Sequence, residues 1–163
     1  MIQIVLGDLA DQAADAVLRP IRSDLDPVTA AAREVGRRAG SGVEERLRAG
    51  GHLPVGGAVL TPGGGLPATF VIHAVVMSLD QPQSQASVER GLRNGFARAT
   101  DWGVTSLALP VLGLSAGSME PEQVARAFLD LLREHLDAGR PPLELTVVAA
   151  SQYERDLLDR MLG

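Results

Sequence analysis

A loop of small residues after an apolar run is the part of the sequence that first suggests a chemical role. Residues 109–122 read LPVLGLSAGSMEPE, and the small side chains of residues 113–118, the small-residue loop, leave the backbone amides almost unshielded. Glu120, Pro121 and Glu122 suit a first helical turn, where proline loses no hydrogen bond and carboxylates complement the helix dipole. Amides that precede such a turn commonly hold a phosphate. The alternative is a plain strand-to-helix turn, because short motifs of this kind also occur by chance.

The side chains that usually catalyse reactions or bind metals do not cluster in this sequence. His52, His73 and His135 lie far apart and match no metal-ligand spacing. His73 belongs to the apolar run TFVIHAVV, where a hydrogen-bonded core histidine is the expected role. No histidine or aspartate is positioned by the sequence to activate the serines of the small-residue loop. We therefore predict no catalytic residue, no bound metal and no cofactor.

Length and composition indicate one globular domain, residues 1–163, and exclude several classes of protein. The net charge of -5 and the lack of a basic stripe argue against binding to DNA. All 15 basic residues are arginine, so a Schiff-base lysine and the lysine of a P-loop ATPase are excluded. The lack of cysteine excludes disulfides, thiol nucleophiles and zinc-thiolate sites.

The N-terminal residues MIQIVLGDLA do not have the pattern of a secretory signal. No apolar run approaches the roughly 18 residues that a membrane span needs. We therefore expect a soluble, cytoplasmic protein with no membrane partner.

Strand and helix signals alternate along the chain, which places the small-residue loop at the end of a strand. Strands are predicted at IQIVLG, at residues 16–18 with an end at Pro20, at residues 56–60, at TFVIHAVV, at TSLALPVL and at LELTVVAAS. Helices are predicted as two pieces within residues 28–49, at about 88–102 with Ser87 as cap, at PEQVARAFLDLLREHLDAG and at YERDLLDRML. TPGGGLP lies between two strand signals with no helix after it, so it is interpreted as a connecting loop. This order predicts an α/β fold with a largely parallel sheet covered on both faces, in which ligands bind beyond the carboxyl ends of the strands.

Over nearly its whole length the sequence resembles the macrodomains, which are ADP-ribose-binding modules. The resemblance runs from VLGDLAD through ADAVLRPIR and LPVGGAVLTPGGGLPATFVIHAVV to SLALPVLGLSAGSMEPEQVARAF and the final strand and helix. It implies a three-layer α/β/α sandwich around a mixed, largely parallel sheet. The nucleotide is then expected in a cleft across the strand ends.

Two segments match ligand-binding segments of the family. The resemblance implies that Asp8 accepts a hydrogen bond from the adenine amino group, with Leu9 beside the base, and a carboxylate suits that acceptor role. Taken alone, Asp8 would more often be a helix cap. The small-residue loop matches the segment that wraps the diphosphate and the proximal ribose, although Ser115 and Ser118 replace small residues there.

The opposite side of the expected cleft departs from the family. Residues 19–22 stand where relatives that remove ADP-ribose carry an Asn-Ala-Ala-Asn segment, and residues 27–30 stand where those relatives carry a run of glycines. Pro27 has no amide proton, and the branched side chains of Val28 and Thr29 resist unusual backbone angles. A phosphate cradle of amides is therefore hard to build here, and residues 149–151 also lack the aromatic residue that relatives often pack on the base.

Three functions remain open at this point. The first is a binding module for ADP-ribose or a related adenine nucleotide, in which Arg19 or Arg22 supplies charge toward a phosphate. The second is an ADP-ribosyl or O-acetyl-ADP-ribose hydrolase, which needs a positioned water and ribose contacts that this sequence has replaced. The third is a degenerate macrodomain that binds another small ligand or a protein partner.

The two arginines separate the first function from the third. Arginines that point into the cleft would rebuild an anion site, whereas pairing with Asp24 and Asp26 would indicate that the distal half of the cleft is lost. The expected ligand-binding residues are Asp8, Leu9, Arg19, Ile21, Arg22, Gly113, Leu114, Ser115, Ala116, Gly117 and Ser118. The sequence makes no prediction about oligomeric state.

Overall fold

The structure, a computed structural model, describes residues 1–114 and 119–163. The strands are β1 (Ile2–Leu6), β2 (Ala16–Arg22), β3 (Ala58–Pro62), β4 (Phe70–Met77), β5 (Ser106–Leu109) and β6 (Glu144–Ala149). The helices are α1 (Ala30–Ala39), α2 (Ser41–Ala49), α3 (Gln85–Asp101), α4 (Pro121–Asp137) and α5 (Gln152–Leu162), and a short 3-10 helix (Leu9–Asp11) follows β1. The predicted division of residues 28–49 into two helices is confirmed, because Gly40, with a φ of 101°, separates α1 from α2.

The strands form one six-stranded sheet in the order β1-β6-β5-β2-β4-β3. Every neighbouring pair is parallel except β3 and β4, which are antiparallel and form the far edge of the sheet. Because the first five strands in this order are parallel, their carboxyl ends meet at one edge, where ligands bind in open α/β sheets.

Helices cover both faces of this sheet, so the predicted three-layer α/β/α sandwich is confirmed. On one face, α3, α4 and α5 pack against alternate strand residues, including Leu18, Ile72 and Leu109. On the other face, α1 and α2 pack against the residues that alternate with these, including Val17 and Val71. The alternation follows from the two-residue period of a strand. No helix in the described ranges is long and apolar enough to cross a membrane.

The expectation that β2 ends at Pro20 is wrong, because the strand continues to Arg22. β2 pairs with β5 only at Ala16 and Val17, so the edge that faces β5 has no strand partner farther along. The Pro20 carbonyl accepts a hydrogen bond from the Val28 amide, at 3.2 Å, on the side away from β4. The missing amide proton of the proline faces that same side, and therefore no ladder hydrogen bond is lost.

The predicted start of α3 is also wrong, because its cap is Ser84 and not Ser87. The Ser84 Oγ accepts from the Ser87 amide at 3.1 Å, and the Ser87 Oγ accepts from the Ser84 amide at 2.9 Å. This reciprocal capping box starts the helix at Gln85. Two strand boundaries differ as well. The strand predicted at residues 56–60 is β3, which spans Ala58–Pro62. The strand predicted at TSLALPVL, residues 105–112, is β5, which ends at Leu109.

Candidate functional site

A cleft of about 380 Å³ opens at the carboxyl ends of the parallel strands. Its volume lies in the usual range of small-molecule sites, about 300 to 1,000 Å³. Residues at or just after the ends of β1, β6, β5, β2 and β4 line it, which places it where the strand order predicts a ligand. The lining residues include Gly7, Asp8, Leu9, Pro20, Val28, Thr29, Ala30, Ala31, Val76, Gln83, Pro110, Gly113, Leu114, Val148, Ala150 and Glu154.

Asp8 and Leu9 form the β1 end of the cleft, and the structure brings both to the site. The Gly7 amide donates to the Ala149 carbonyl at 3.0 Å, which ties the chain after β1 to the end of β6. Asp8 precedes the 3-10 helix, but its carboxylate accepts no capping hydrogen bond there. The capping role is therefore unfilled, and the exposed carboxylate is available to a ligand, whereas Leu9 is 1% exposed and packs into the core.

Glu154 is a cleft residue that the sequence reasoning missed. It lies in the first turn of α5, where its Oε1 accepts from the Ala150 amide at 3.2 Å and its own amide donates to Ser151 Oγ at 3.2 Å. The sequence SQYE carries the serine and glutamate spacing of a capping box, which is the signal that could have identified it. Asp8 and Glu154 therefore place two carboxylates at the β1 and β6 end of the cleft.

The small-residue loop is described only as far as Leu114. Gly113 and Leu114 both line the cleft, as predicted, whereas Ser115, Ala116, Gly117 and Ser118 lie outside the described residues. Gly113 has a φ of 97°, and a Cβ there would lie 3.3 Å from Val124 Cγ1. A positive φ and a close neighbour both favour glycine at this position. Pro121 occupies the first turn of α4, as the sequence predicted.

The β2 end of the cleft is lined by the first turn of α1 and not by a loop of glycines. Thr29 caps this helix through Oγ1, which accepts from the Ala32 amide at 3.1 Å. Ala30 and Ala31 also line the cleft, and their amides precede the first position that can form an intrahelical hydrogen bond. The helix N-terminus therefore presents amides at the position where the sequence suggested that an amide cradle is hard to build.

Arg19 does not reach the cleft, contrary to the sequence expectation. Its side chain is fully buried, because it points to the face of the sheet that α1 and α2 cover. The guanidinium donates from Nε to His73 Nδ1 at 2.9 Å, from Nη1 to the Ala32 carbonyl at 3.1 Å and from Nη2 to Glu44 Oε1 at 3.3 Å. Burial lowers the pKa of Arg19, and the charge of Glu44 partly offsets this effect.

Arg22 and Ile21 do not line the cleft either. The Arg22 Nη2 lies 2.8 Å from Asp24 Oδ2 and 3.3 Å from Asp26 Oδ2, so both acids of the following turn hold the guanidinium. Ile21 is fully buried and packs with Leu25 on the α2 face. Both residues were expected in the cleft because residues 19–22 correspond in position to the asparagine segment of relatives, and position along the chain carries no information about the direction of a side chain.

The cleft carries no basic side chain among its described lining residues. Ser115, Ala116, Gly117 and Ser118 are uncharged by sequence, so the small-residue loop adds none. Its charged groups are the carboxylates of Asp8 and Glu154, and the opposite polarity comes from backbone amides. The arrangement can hold a ligand whose hydrogen-bond donors face one end and whose anionic oxygens face the amides.

An α/β/α sandwich with a small-molecule cleft at its strand ends defines a class of ligand-binding domain, and sequence comparison identifies the family. The Macro domain family matches residues 23–128, which is more than half of the chain. An uncharacterized protein of Aeropyrum pernix is 34% identical over 129 residues, which cover 77% of this chain and 67% of that protein. A macro domain-containing protein of Cupriavidus necator is 30% identical over 150 residues, which cover 88% of this chain and 86% of that protein. The chain belongs to the macrodomain family.

Solved structures of macrodomains share the fold. The Trypanosoma brucei macrodomain in complex with ADP-ribose matches with a TM-score of 0.87 at 18% identity, over 99% of this chain and 69% of that chain. The Oceanobacillus iheyensis macrodomain with ADP matches with a TM-score of 0.80 at 19% identity, over 98% of this chain and 88% of that chain. These neighbours bind ADP-ribose or ADP.

Proposed function

We propose that the protein is a binding module for ADP-ribose or a related adenine nucleotide. The observation that carries the proposal is one continuous cleft that joins Asp8, Gly113 and the first turn of α1. Four strand spacings separate β1 from β4 in the sheet, or about 19 Å at the usual distance between strands. A cleft of that span suits an adenine nucleotide extended by a second sugar.

The adenine is proposed to lie at the β1 and β6 end. Asp8 accepts a hydrogen bond from the exocyclic amine, and Leu9 forms part of the apolar wall beside the base. Glu154 adds a second carboxylate at this end, which disfavours a base that presents an acceptor there. The local charge therefore supports selection of adenine over hypoxanthine.

The diphosphate is proposed to lie between the small-residue loop and the first turn of α1. Amides at both places can donate to phosphate oxygens, although no cation lines the described part of the cleft. An internal phosphate carries one negative charge, whereas a terminal phosphate carries about 1.5 to 2 at pH 7. ADP-ribose therefore carries about two negative charges and ADP about 2.5 to 3. A cleft that offers amides without basic side chains favours ADP-ribose over ADP on this ground.

Catalysis is not part of the proposal. Residues 19–22 occupy the place of the asparagine segment of ADP-ribose-removing relatives, and Arg19 and Arg22 are both engaged away from the cleft. An arginine also has five donors and no acceptor, so it does not reproduce the amide group of an asparagine. We propose binding without hydrolysis.

The degenerate macrodomain remains a second candidate because of Arg22. Its pairing with Asp24 and Asp26 is the arrangement that favours loss of the distal half of the cleft. In this case the ligand is another small molecule or a protein partner.

A calorimetric titration with ADP-ribose, AMP, inosine 5'-monophosphate and ribose 5-phosphate tests the proposal. We expect micromolar binding of ADP-ribose, which corresponds to about 8 kcal/mol. AMP should bind more weakly than ADP-ribose, and inosine 5'-monophosphate more weakly than AMP. Equal affinities for AMP and ADP-ribose would limit recognition to the adenine half of the ligand. No heat with any ligand at millimolar concentration would refute nucleotide binding and favour the degenerate candidate.

A further inference from the structure

A buried polar network lies behind the wall of the cleft that α1 forms. It consists of Arg19 on β2, His73 on β4, Thr61 on β3 and Glu44 on α2, together with the Ala32 carbonyl of α1. The side chains of Arg19 and His73 are fully buried, and Thr61 is 4% exposed. No part of the proposed nucleotide site uses this network.

The hydrogen bonds of the network have one consistent assignment of donors and acceptors. Arg19 Nε always carries a proton, so His73 Nδ1 is the acceptor in their 2.9 Å contact. His73 Nε2 then carries the ring proton and donates it to Thr61 Oγ1 at 2.8 Å. Burial and the charge of Arg19 lower the pKa of His73 well below its ordinary value, which agrees with the neutral ring. The guanidinium is therefore held from β4 in a single orientation.

That orientation connects β2 to the first turn of α1. Arg19 Nη1 donates to the Ala32 carbonyl at 3.1 Å, while the Ala32 amide is bound by the Thr29 cap. Thr29, Ala30 and Ala31, the three residues that precede Ala32 in the chain, line the cleft. Gly36 lies one turn farther along α1, where an added Cβ would be 2.5 Å from Arg19 Nη1. Glycine at this position leaves the space that the guanidinium occupies.

We propose that Arg19 is a positioning residue that holds the N-terminus of α1 against the cleft and thereby sets affinity for the distal part of the ligand. The proposal rests on the proposed function, because it concerns the diphosphate and second sugar of the same nucleotide. Asp8 lies three strand spacings from β2, or about 14 Å. The adenine half of the ligand is therefore largely independent of Arg19.

Two alanine substitutions in neighbouring helices provide the test. Gly36→Ala puts a methyl group into the space of the Arg19 guanidinium, whereas Gly42→Ala in α2 meets nothing within 4 Å. Alanine has a higher helix propensity than glycine, so helix propensity alone predicts that both variants are at least as stable as the wild type. The network predicts a different result for Gly36→Ala, because the guanidinium must move away from the Ala32 carbonyl.

The first readout is the affinity for ADP-ribose and AMP by calorimetry. We expect Gly36→Ala to lower the affinity for ADP-ribose about tenfold and to change the affinity for AMP by no more than about twofold. The reason is that the displaced first turn of α1 is no longer preorganised for the diphosphate and second sugar. Gly42→Ala should change neither affinity. A ratio of the two affinities in Gly36→Ala equal to that of the wild type would overturn the inference and leave nucleotide binding intact.

The second readout is hydrogen exchange of the ligand-free protein, which tests the positioning without any nucleotide. The amides of Arg33 and Val35 in α1 should exchange faster in Gly36→Ala than in the wild type, with no such change in Gly42→Ala. Arg19→Met, which removes the guanidinium but keeps much of the side-chain volume, should show the same pattern. Unchanged exchange in α1 for Gly36→Ala would overturn the inference even if the protein binds no nucleotide.

Discussion

The two ends of the cleft are built in different ways, although they belong to one continuous cavity. At the β1 end, Asp8 and Leu9 follow the strand directly, and the loop after the strand brings them to the cleft. At the β2 end, Arg19 and Arg22 are engaged elsewhere, and the first turn of α1 lines the cleft with its backbone. A ligand in this cleft would therefore meet side-chain acceptors at one end and backbone donors at the other.

The β2 end of the cleft keeps its shape although residues 19–22 contain no asparagine and residues 27–30 contain no glycine. Backbone amides at a helix N-terminus do not depend on the identity of the side chains, as long as the helix stays in position. In this protein, Thr29 caps the helix and Arg19 contacts it from behind. Substitutions can therefore alter each end of the cleft, or the loop between the ends, separately.

Gly113→Val should have the largest effect, because Gly113 starts the small-residue loop. A branched side chain at a φ of 97° is strained, and its Cβ would lie 3.3 Å from Val124 Cγ1. We expect ADP-ribose affinity to fall by roughly a hundredfold or more and the free energy of unfolding to fall by about 1 to 3 kcal/mol. Calorimetry and urea denaturation measure the two quantities.

Gly103→Val is the matched control for backbone strain. Gly103 also has a positive φ, at 67°, but it follows α3 at the opposite edge of the sheet and a Cβ there meets nothing within 4 Å. This variant should lose stability without losing affinity. If both variants bind ADP-ribose like the wild type, the loop takes no part in the site.

Asp8→Asn should have the next largest effect, and it tests the side-chain end of the cleft. The substitution keeps the shape of Asp8 but removes the charge and turns one acceptor into a donor. Loss of a hydrogen bond to a charged group corresponds to about 1.5 to 3 kcal/mol, or roughly a tenfold to hundredfold loss of affinity. The affinities for ADP-ribose and for AMP should fall by similar factors, because both ligands carry adenine.

Asp11→Asn controls for a general loss of negative charge. Asp11 lies in the 3-10 helix that follows Asp8, pairs with Arg38 and does not line the cleft. Its variant should bind both nucleotides normally. Normal AMP binding by Asp8→Asn would contradict the placement of adenine at this end.

The fold could be predicted largely from the sequence because its signals are local. Apolar runs such as TFVIHAVV and the helical spacing of residues 121–137 each determine one element, and their order determines the layers. Boundaries were less predictable, since Pro20 lies inside β2 only because β5 stops pairing before it. That fact depends on the length of another strand.

The candidate site was predictable only where the position of a residue along the chain also determines the direction of its side chain. Asp8 follows a strand and reaches the strand-end cleft, as expected, whereas Arg19 lies within a strand, where alternate residues face opposite layers. Its burial depends on partners such as His73 and Glu44, which are distant in sequence. No pattern around Arg19 alone indicates these partners.

The buried network behind the β2 end should also make stability depend on pH. Because burial lowers the pKa of His73 in the folded protein, the unfolded chain binds a proton more readily. The free energy of unfolding should therefore have its full value above about pH 6.5 and decrease as the pH drops. The contribution of His73 to this decrease is up to about 1.4 kcal/mol per pH unit. Urea denaturation between pH 7.5 and 5 measures this slope.

His73→Gln and His135→Gln apportion that pH dependence. Glutamine can accept from Arg19 and donate to Thr61 but does not titrate, so His73→Gln should flatten the slope. The pKa of His135 is also lowered, first by burial, so His135→Gln should remove a separate contribution. A slope that His73→Gln leaves unchanged would contradict the prediction, because it would show that His73 does not carry the pH dependence.

Arg22→Ala should have the smallest effect, and it decides whether the β2 end uses any side-chain charge. Asp24 and Asp26 hold the guanidinium in a partly exposed position, and ion pairs of this kind contribute little to stability. We expect ADP-ribose affinity to stay within about twofold of the wild type, as in a control variant Arg37→Ala on the exposed face of α1. Calorimetry at low and high salt measures both variants. A tenfold loss confined to Arg22→Ala and to low salt would mean that the guanidinium leaves its acids to bind a phosphate, so that both ends of the cleft would bind through side chains.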